Sequence, residues 1–340
     1  MTTRPFSIAL LGATGAVGRA VLEVIEDLDI EVSELRLLAT ERSAGQEIDV
    51  CGEPHKVRAV SADAFRGVDV AILAAGAEAS RTWAPVARQQ GALVVDDSAA
   101  FREQPGVPIV VPELNPEALD GVEGGIYANP NSIAIALALV LKPLHAAAGL
   151  ERAVVATYQA VSGAGHRGVD QLEREASDLM NGREPAPPLR LPHRIAFNLV
   201  PQVGGTIEDG VAPEEAKIAR ETPRLLGLPG LVISASAVRV PVFYGHAAAV
   251  HLGLSRPLTP EAARQALRAA PAVKVVDAPA EGIYPMPMLA VNDDAVLVGR
   301  IRTDPAFPNG LALFLAVDNL RKGGATNLVQ LAALVAARRR

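Results

Sequence analysis

The chain has 340 residues, 49% of them hydrophobic and 21% charged, which is enough apolar material for two ordinary cores. Thirty-two basic against 38 acidic residues give a net charge of -6, and this removes the electrostatic pull that nucleic acid or an anionic membrane would need. The single cysteine, Cys51, excludes an intrachain disulfide, and the longest apolar run, 133–141, is too short to span a bilayer.

The N-terminus enters a strand almost at once, which leaves no room for a signal peptide and suggests a soluble cytoplasmic protein. Residues 7–11 form a short apolar run, followed by the turn Gly12-Ala-Thr-Gly-Ala-Val-Gly18 and by 20–28 at helical spacing. This reads as strand, glycine turn and helix. Runs at 35–40, 68–74 and 92–95 are β-rich and of the buried type, with a helical stretch at 78–90. Strands alternating with helices imply a doubly wound parallel sheet of Rossmann type.

The pattern changes after about residue 130. Runs at 153–161, 231–242, 246–254, 295–303 and 311–317 are long strands separated by few helices and by Pro-rich connections such as Glu184-Pro-Ala-Pro-Pro188. That predicts an α+β domain with a mainly antiparallel sheet. The final apolar-periodic stretch, 319–337, reads as a helix returning to the first domain. The expected division is 1–130 completed by 319–340, and 131–318.

Gly12, Gly15 and Gly18 permit a tight turn and the approach of a pyrophosphate to backbone N–H groups at a helix N-terminus. Thr14, Ala16 and Val17 share that turn, so all six residues are candidate dinucleotide contacts. The second strand ends at Thr40-Glu-Arg-Ser43. An acid there suits a ribose 2′-OH and NAD, whereas an arginine suits a 2′-phosphate and NADP. Arg42, with Ser43, favours NADP, and Glu41 beside it keeps NAD open.

Asn131 and Ser132 precede the apolar stretch 133–148, which Pro143 is expected to kink or end early. Asn and Ser are good helix N-caps, and a side chain at that turn feels the positive end of the helix dipole. Tyr158-Gln-Ala-Val-Ser-Gly-Ala-Gly165 ends a strand in a loop of small residues. Arg239 and His246 stand at the two ends of one strand-like segment, one suited to a carboxylate and the other to acid–base work. No group of residues has metal-ligand spacing.

Taken together these stretches resemble the aspartate-β-semialdehyde dehydrogenase family over nearly the full length. The matching runs are Gly12 to Gly18, Arg42-Ser-Ala-Gly45, Ser98-Ala-Ala-Phe-Arg102, Asn129-Pro-Asn131, Tyr158 to Gly165, Glu214-Glu-Ala-Lys217, Arg239-Val-Pro-Val242 with Gly245-His246, and Asp318-Asn-Leu-Arg-Lys-Gly323. The resemblance implies reduction of an acyl phosphate with NADPH, or the reverse, through a cysteine thioester. It also implies that Arg102, Asn131 and Lys217 bind phosphate, that Glu214 and Arg239 hold the amino and carboxylate ends of the substrate, that Gln159 orients the acyl intermediate, and that His246 is the acid/base. The nucleophile position is Ser132 here, which makes the chain most similar to the Usg-type branch. Three readings follow: a homologue that binds NADP and the semialdehyde or acyl phosphate with weak or no turnover; an active NAD(P)-dependent oxidoreductase using Ser132 and His246; and a scaffold without nucleotide. The family is dimeric through its second domain, so a homodimer joined by the strands at 231–242 and 311–317 is expected, with no nucleic-acid or membrane partner.

Overall fold

The computed structural model describes residues 5–122, 124–205 and 208–338. Its internal contacts divide the chain into two units, Met1–Pro130 with Gly324–Arg340, and Asn131–Gly323.

In the first unit β1 (Phe6–Leu11) leads into α1 (Ala16–Asp27), then β2 (Val32–Ala39), the hairpin β3 (Glu47–Val50) and β4 (Glu53–Lys56), β5 (Arg58–Ala59), β6 (Val70–Leu73), α2 (Ala77–Gln89), β7 (Leu93–Asp96) and β8 (Ile126–Ala128). The six-stranded sheet has the order β5-β2-β1-β6-β7-β8, and every pairing is parallel. β1 and β6 are buried at every position, as expected for strands covered on both faces. The order reverses direction at β1, so the carboxyl ends of β1 and β6 form the crevice where doubly wound sheets take ligands.

The second unit begins with α3 (Ser132–Ala148) and continues with β9 (Leu150–Gln159), α4 (His166–Met180), α5 (Pro213–Leu226), β10 (Val232–Arg239), β11 (His246–Leu254), α6 (Pro260–Arg268), β12 (Val273–Val275), the single turn α7 (Pro287–Ala290), β13 (Val296–Asp304) and β14 (Gly310–Val317). Its sheet, β10-β9-β11-β14-β13-β12, is antiparallel at its three central junctions and parallel at both edges. The closing helix α8 (Thr326–Arg338) packs on α1, β6 and β7 of the first unit; residues 339 and 340 lie outside the described residues.

Two local expectations are corrected. Pro143 does not end α3, which runs through it to a glycine C-cap at Gly149. Eleven of the helix's side chains are buried, and this packing offsets the roughly 3 kcal/mol that an interior proline costs. Arg239 and His246 do not share a strand either. Arg239 closes β10, where its backbone exchanges hydrogen bonds with Val200, and His246 opens β11. The six residues between them form a turn that ends at Gly245, whose φ is 84° and whose Cβ, if present, would stand 2.6 Å from the carbonyl oxygen of Pro287. None of the described helices is long and apolar enough to cross a membrane.

Candidate active site

The glycine turn of the first unit is built from backbone. Gly12 has φ 97°, and a Cβ there would lie 2.6 Å from the Ala74 carbonyl oxygen. Gly18 is packed more closely, since a Cβ would come within 2.1 Å of the Gly12 carbonyl oxygen. These two glycines let β1, β6 and α1 approach one another. Gly15 donates to the Gly12 carbonyl at 2.9 Å and caps α1 without a side-chain partner, so the first N–H groups of the helix, from Ala16 and Val17 onward, remain available to an anion. This geometry fits a dinucleotide pyrophosphate. Thr14 stands between the first two glycines of this turn. Glu41, Arg42 and Ser43 form one 3-10 turn directly after β2. The Arg42 side chain is exposed and makes no hydrogen bond or ion pair with any described residue.

The second unit supplies buried side chains. Asn131 caps α3: its Oδ1 accepts from Ile133 and Ala134 N–H at 3.0 and 3.1 Å. Its Nδ2 donates to Glu214 Oε1 at 2.8 Å, and its backbone N–H donates to Glu221 Oε2 at 2.6 Å. Glu214 and Glu221 stand two turns apart on α5, so one helix face anchors the turn from both sides. Ser132 is the first residue of α3 and is half-buried, with no hydrogen-bond partner for its hydroxyl among the described residues. Gly323 lies against it, because a Cβ at 323 would stand 2.8 Å from Ser132 Cβ. Gly323 belongs to a π-helical turn, Arg321–Ala325, of the kind often found at functional sites.

Glu214 also accepts from Gln159 Nε2 at 3.3 Å and from Lys217 Nζ at 3.3 Å. Burial by itself would raise its pKa. The charge of Lys217, the Asn131 amide, His246 and Gln159 overcome that and hold the carboxyl below its usual range, so Glu214 stays ionised in the interior.

Arg239 is buried and donates from Nη1 to the Ala160 carbonyl at 2.6 Å. Its Nε has no hydrogen-bond partner among the described residues. Burial, tempered by Glu214 and reinforced by the charge of Arg190, brings its pKa down to about 10. His246 is buried beside it and accepts the Ala160 N–H at Nδ1, at 3.1 Å. A backbone N–H only donates, so the lone pair of the neutral ring is at Nδ1 and its proton is on Nε2. Burial first, and the Arg239 charge second, lower the pKa of His246 to about 3. Gly163 completes the wall. A Cβ there would be 2.8 Å from Arg239 Nη1 and 3.0 Å from His246 Nε2, so this glycine opens the space that both groups face. Asn319 Oδ1 accepts from Ser162 Oγ and from Gly245 N–H, each at 3.1 Å, and ties the loops on either side of His246.

Of the residues singled out in the sequence, Asn131, Ser132, Gln159, Glu214, Lys217, Arg239 and His246 are all in the second unit, connected through Glu214 and the Ala160 backbone. Arg102 belongs to the first unit, where its Nη2 donates to the Asp97 carbonyl at 2.7 Å. Cys51 sits at the β3–β4 turn with φ 53°, exposed. Partial burial and the neighbouring acids Glu26, Asp29, Asp49 and Glu53 raise its pKa, against formation of a thiolate. Glu221, Asn319, Gly163 and Gly323 were not singled out as site residues. The i, i+7 spacing of Glu214 and Glu221 was the one signal available, since it sets two carboxylates on one helical face. No group of three or more His, Cys, Asp or Glu among the described residues is placed to hold a metal ion.

A doubly wound sheet with a glycine turn, joined to a mixed sheet carrying a buried Arg–His–Glu constellation, defines a two-domain nucleotide-dependent dehydrogenase class. Residues 7–122 match the family model "Semialdehyde dehydrogenase, NAD binding domain", and residues 141–322 match "Semialdehyde dehydrogenase, dimerisation domain". The chain is 42% identical to the aspartate-semialdehyde dehydrogenase of Aquifex aeolicus, over 97% of this chain and 98% of that one. The structure of aspartate semialdehyde dehydrogenase II from Vibrio cholerae, complexed with ASA, superposes with a TM-score of 0.94 at 39% identity, covering 98% of each chain. A probable aspartate-semialdehyde dehydrogenase from Pseudomonas aeruginosa superposes with a TM-score of 0.91 at 33% identity, also over 98% of each. The chain belongs to the aspartate-semialdehyde dehydrogenase family and carries its NAD(P)-binding and dimerisation domains. The match to an NAD binding domain weighs against the reading as a scaffold without nucleotide.

Proposed function

We propose that the chain is an NADP-dependent oxidoreductase of the aspartate-semialdehyde dehydrogenase type, acting on an aspartate-semialdehyde-like aldehyde or the corresponding acyl phosphate. The observation that carries this reading is the buried guanidinium of Arg239, with a free Nε, facing across Gly163 the Nε2–H of His246. Glu214 offsets only part of the cost of burying this charge, and a carboxylate ligand offsets more of it. Glu214, held ionised, suits the ammonium of the same ligand. The Vibrio cholerae relative is described in complex with ASA. Lys217 and Arg102 are proposed for phosphate, and Gln159 for orienting the acyl group. The amide of Asn131 is largely occupied by capping and by Glu214, so its part is to hold the α3 turn. Gly12, Thr14, Gly15, Ala16, Val17 and Gly18 take the pyrophosphate, and Arg42 with Ser43 takes the 2′-phosphate. When bound, the dinucleotide supplies the hydride chemistry.

Ser132 stands at the attack position with a hydroxyl, which is far less acidic than a thiol and needs a base. His246 is an unsuitable base in this arrangement, because its lone pair is engaged by Ala160 and its exposed nitrogen carries the proton. Its role is to donate a hydrogen bond to the carbonyl oxygen as negative charge develops there. With no side-chain base assigned, the Ser132 proton passes to water as its oxygen adds to the carbonyl, and covalent turnover is then slower than through a thiol by roughly a thousandfold or more. A second reading, a Usg-type relative that binds but scarcely turns over, draws support from the same hydroxyl and from the distance in sequence of the only cysteine.

The test is steady-state NADPH formation from aspartate semialdehyde and phosphate, with Ser132→Cys assayed beside the native protein. Turnover by both, faster in the variant, upholds the enzyme. Turnover by the variant alone selects the binding relative. Activity of the native protein unchanged by Ser132→Ala and His246→Ala refutes both residue roles. We also propose a homodimer through the open face of the second sheet. There Val154, Tyr158 and Val232 are exposed and Tyr158 stacks on Phe314 at 6.1 Å between ring centroids, whereas Leu311, Leu313 and Leu315 are turned into the core. A monomeric mass by light scattering at micromolar concentration overturns it.

A further inference from the structure

Arg190 lies in a segment without helix or strand, yet that segment is firmly tied. Gln171 Oε1 accepts from both the Arg190 and the Leu191 N–H, each at 2.9 Å. Glu175 Oε2 accepts from Ile195 and Ala196 N–H at 2.8 and 3.0 Å, and its Oε1 takes Gln171 Nε2 at 2.7 Å. Gln171 and Glu175 are one turn apart on α4 and buried, so α4 fixes where Arg190 departs from the backbone. The side chain then donates from Nε to the Ala164 carbonyl at 3.2 Å.

This places two guanidinium groups on one short turn. Arg239 holds the residue before the 3-10 turn Val161–Ala164, through the Ala160 carbonyl, and Arg190 holds the residue that ends it. Neither forms an ion pair or hydrogen bond with a carboxylate among the described residues. Arg239 is buried and Arg190 is exposed, so the turn carries one guanidinium in the interior and one open to solvent. The two sense each other, since the charge of Arg190 is among the causes that lower the pKa of Arg239. An anion near both relieves their repulsion and gains from each.

We propose that Arg190 is a second anion-binding residue of this pocket, a specificity-determining group that grips the ligand's carboxylate from the rim while Arg239 grips it from within. The inference rests on the reading of Arg239 as the carboxylate site. It adds a preference: ligands carrying a carboxylate at this end gain affinity over neutral isosteres by more than one guanidinium provides, and part of that gain is salt-sensitive because Arg190 is exposed.

The experiment is calorimetric titration of the full chain with L-2-aminobutyrate, which has the amino and carboxylate ends but no aldehyde, and with sec-butylamine, which lacks the carboxylate. Arg190→Ala, Arg190→Lys and Arg239→Ala are compared, with thermal melts confirming folding. Arg190→Ala is expected to weaken L-2-aminobutyrate binding by about five- to tenfold and to flatten its salt dependence. Arg190→Lys recovers part of the loss, sec-butylamine is unaffected, and Arg239→Ala abolishes carboxylate binding. If Arg190→Ala leaves the affinity within about twofold while Arg239→Ala abolishes it, the inference about Arg190 is overturned and the Arg239 reading stands. If Arg239→Ala also changes nothing, or the native protein does not bind the probe, the Arg239 reading fails and takes this inference with it.

Discussion

Under the proposed function, the two units hold a charged ligand in opposite ways. The first presents a turn of Gly12, Gly15 and Gly18, whose binding groups are backbone N–H atoms that already carry a partial positive charge at a helix end. No ionised side chain has to be buried to make it. The second buries Glu214, Arg239 and His246 together: burial lowers the pKa of Arg239 and His246, while the partners of Glu214 overcome its burial and hold it ionised. A backbone site is therefore sensitive to shape and nearly indifferent to pH. A side-chain site is sensitive to charge and carries a standing cost in stability that the ligand relieves.

The largest expected effect breaks the first half of that contrast. Gly18→Ala places a methyl group 2.1 Å from the Gly12 carbonyl oxygen, so β1 and α1 must separate. Loss of nucleotide binding and about 3 kcal/mol of stability are expected in titration and urea denaturation; retained NADP affinity would place the nucleotide elsewhere.

The next effect lies in the second half. His246 has a folded pKa of about 3 against an ordinary 6.5. Between those values the unfolded chain binds a proton that the folded chain refuses. The stability from neutral His246 is thus complete above about pH 6.5 and is lost as pH falls toward 3. The slope is about one proton, or roughly 1.4 kcal/mol per pH unit. His246→Gln should remove that slope from denaturation curves taken between pH 6.5 and 4, and an unchanged slope would show that the ring is not buried neutral.

A smaller effect is expected at Glu221. Glu221→Ala leaves the buried Asn131 N–H without its carboxylate and should cost about 2 kcal/mol, with Glu221→Gln recovering most of it; equal losses for the two variants would deny the hydrogen bond a role. The smallest sharpens the nucleotide assignment. Arg42→Ala should weaken NADP by about tenfold and leave NAD unchanged, and equal weakening of both would remove the 2′-phosphate role.

How far the sequence foretold each unit follows from the same contrast. A site made of backbone needs glycine wherever a Cβ would collide, so Gly12, Gly15 and Gly18 appear at readable intervals beside a strand. Asn131 was readable as a cap because capping is local. The partner of Glu221 was not, since it is a backbone N–H 90 residues away in the chain. The runs 231–242 and 246–254 are already separate in the sequence, but the end of β10 at Arg239 is hidden because Val240, Pro241, Val242 and Phe243 continue an apolar extended pattern. Pro143 misled for the opposite reason: its local cost is real, but the packing around α3 that outweighs it is a property of the whole fold. Arg190 sits in a stretch with no periodicity, where its placement depends on two buried side chains of α4.

The hydroxyl of Ser132 touches no hydrogen-bonding partner among the described residues, and that has an evolutionary consequence. Exchanging its oxygen for sulfur breaks nothing, so the step between hydroxyl and thiol should shift stability by well under about 1 kcal/mol. Selection on folding is then blind to this position, and only selection on turnover can hold it in either state. The two chemistries are thus one atom apart on an otherwise unchanged set of supporting contacts.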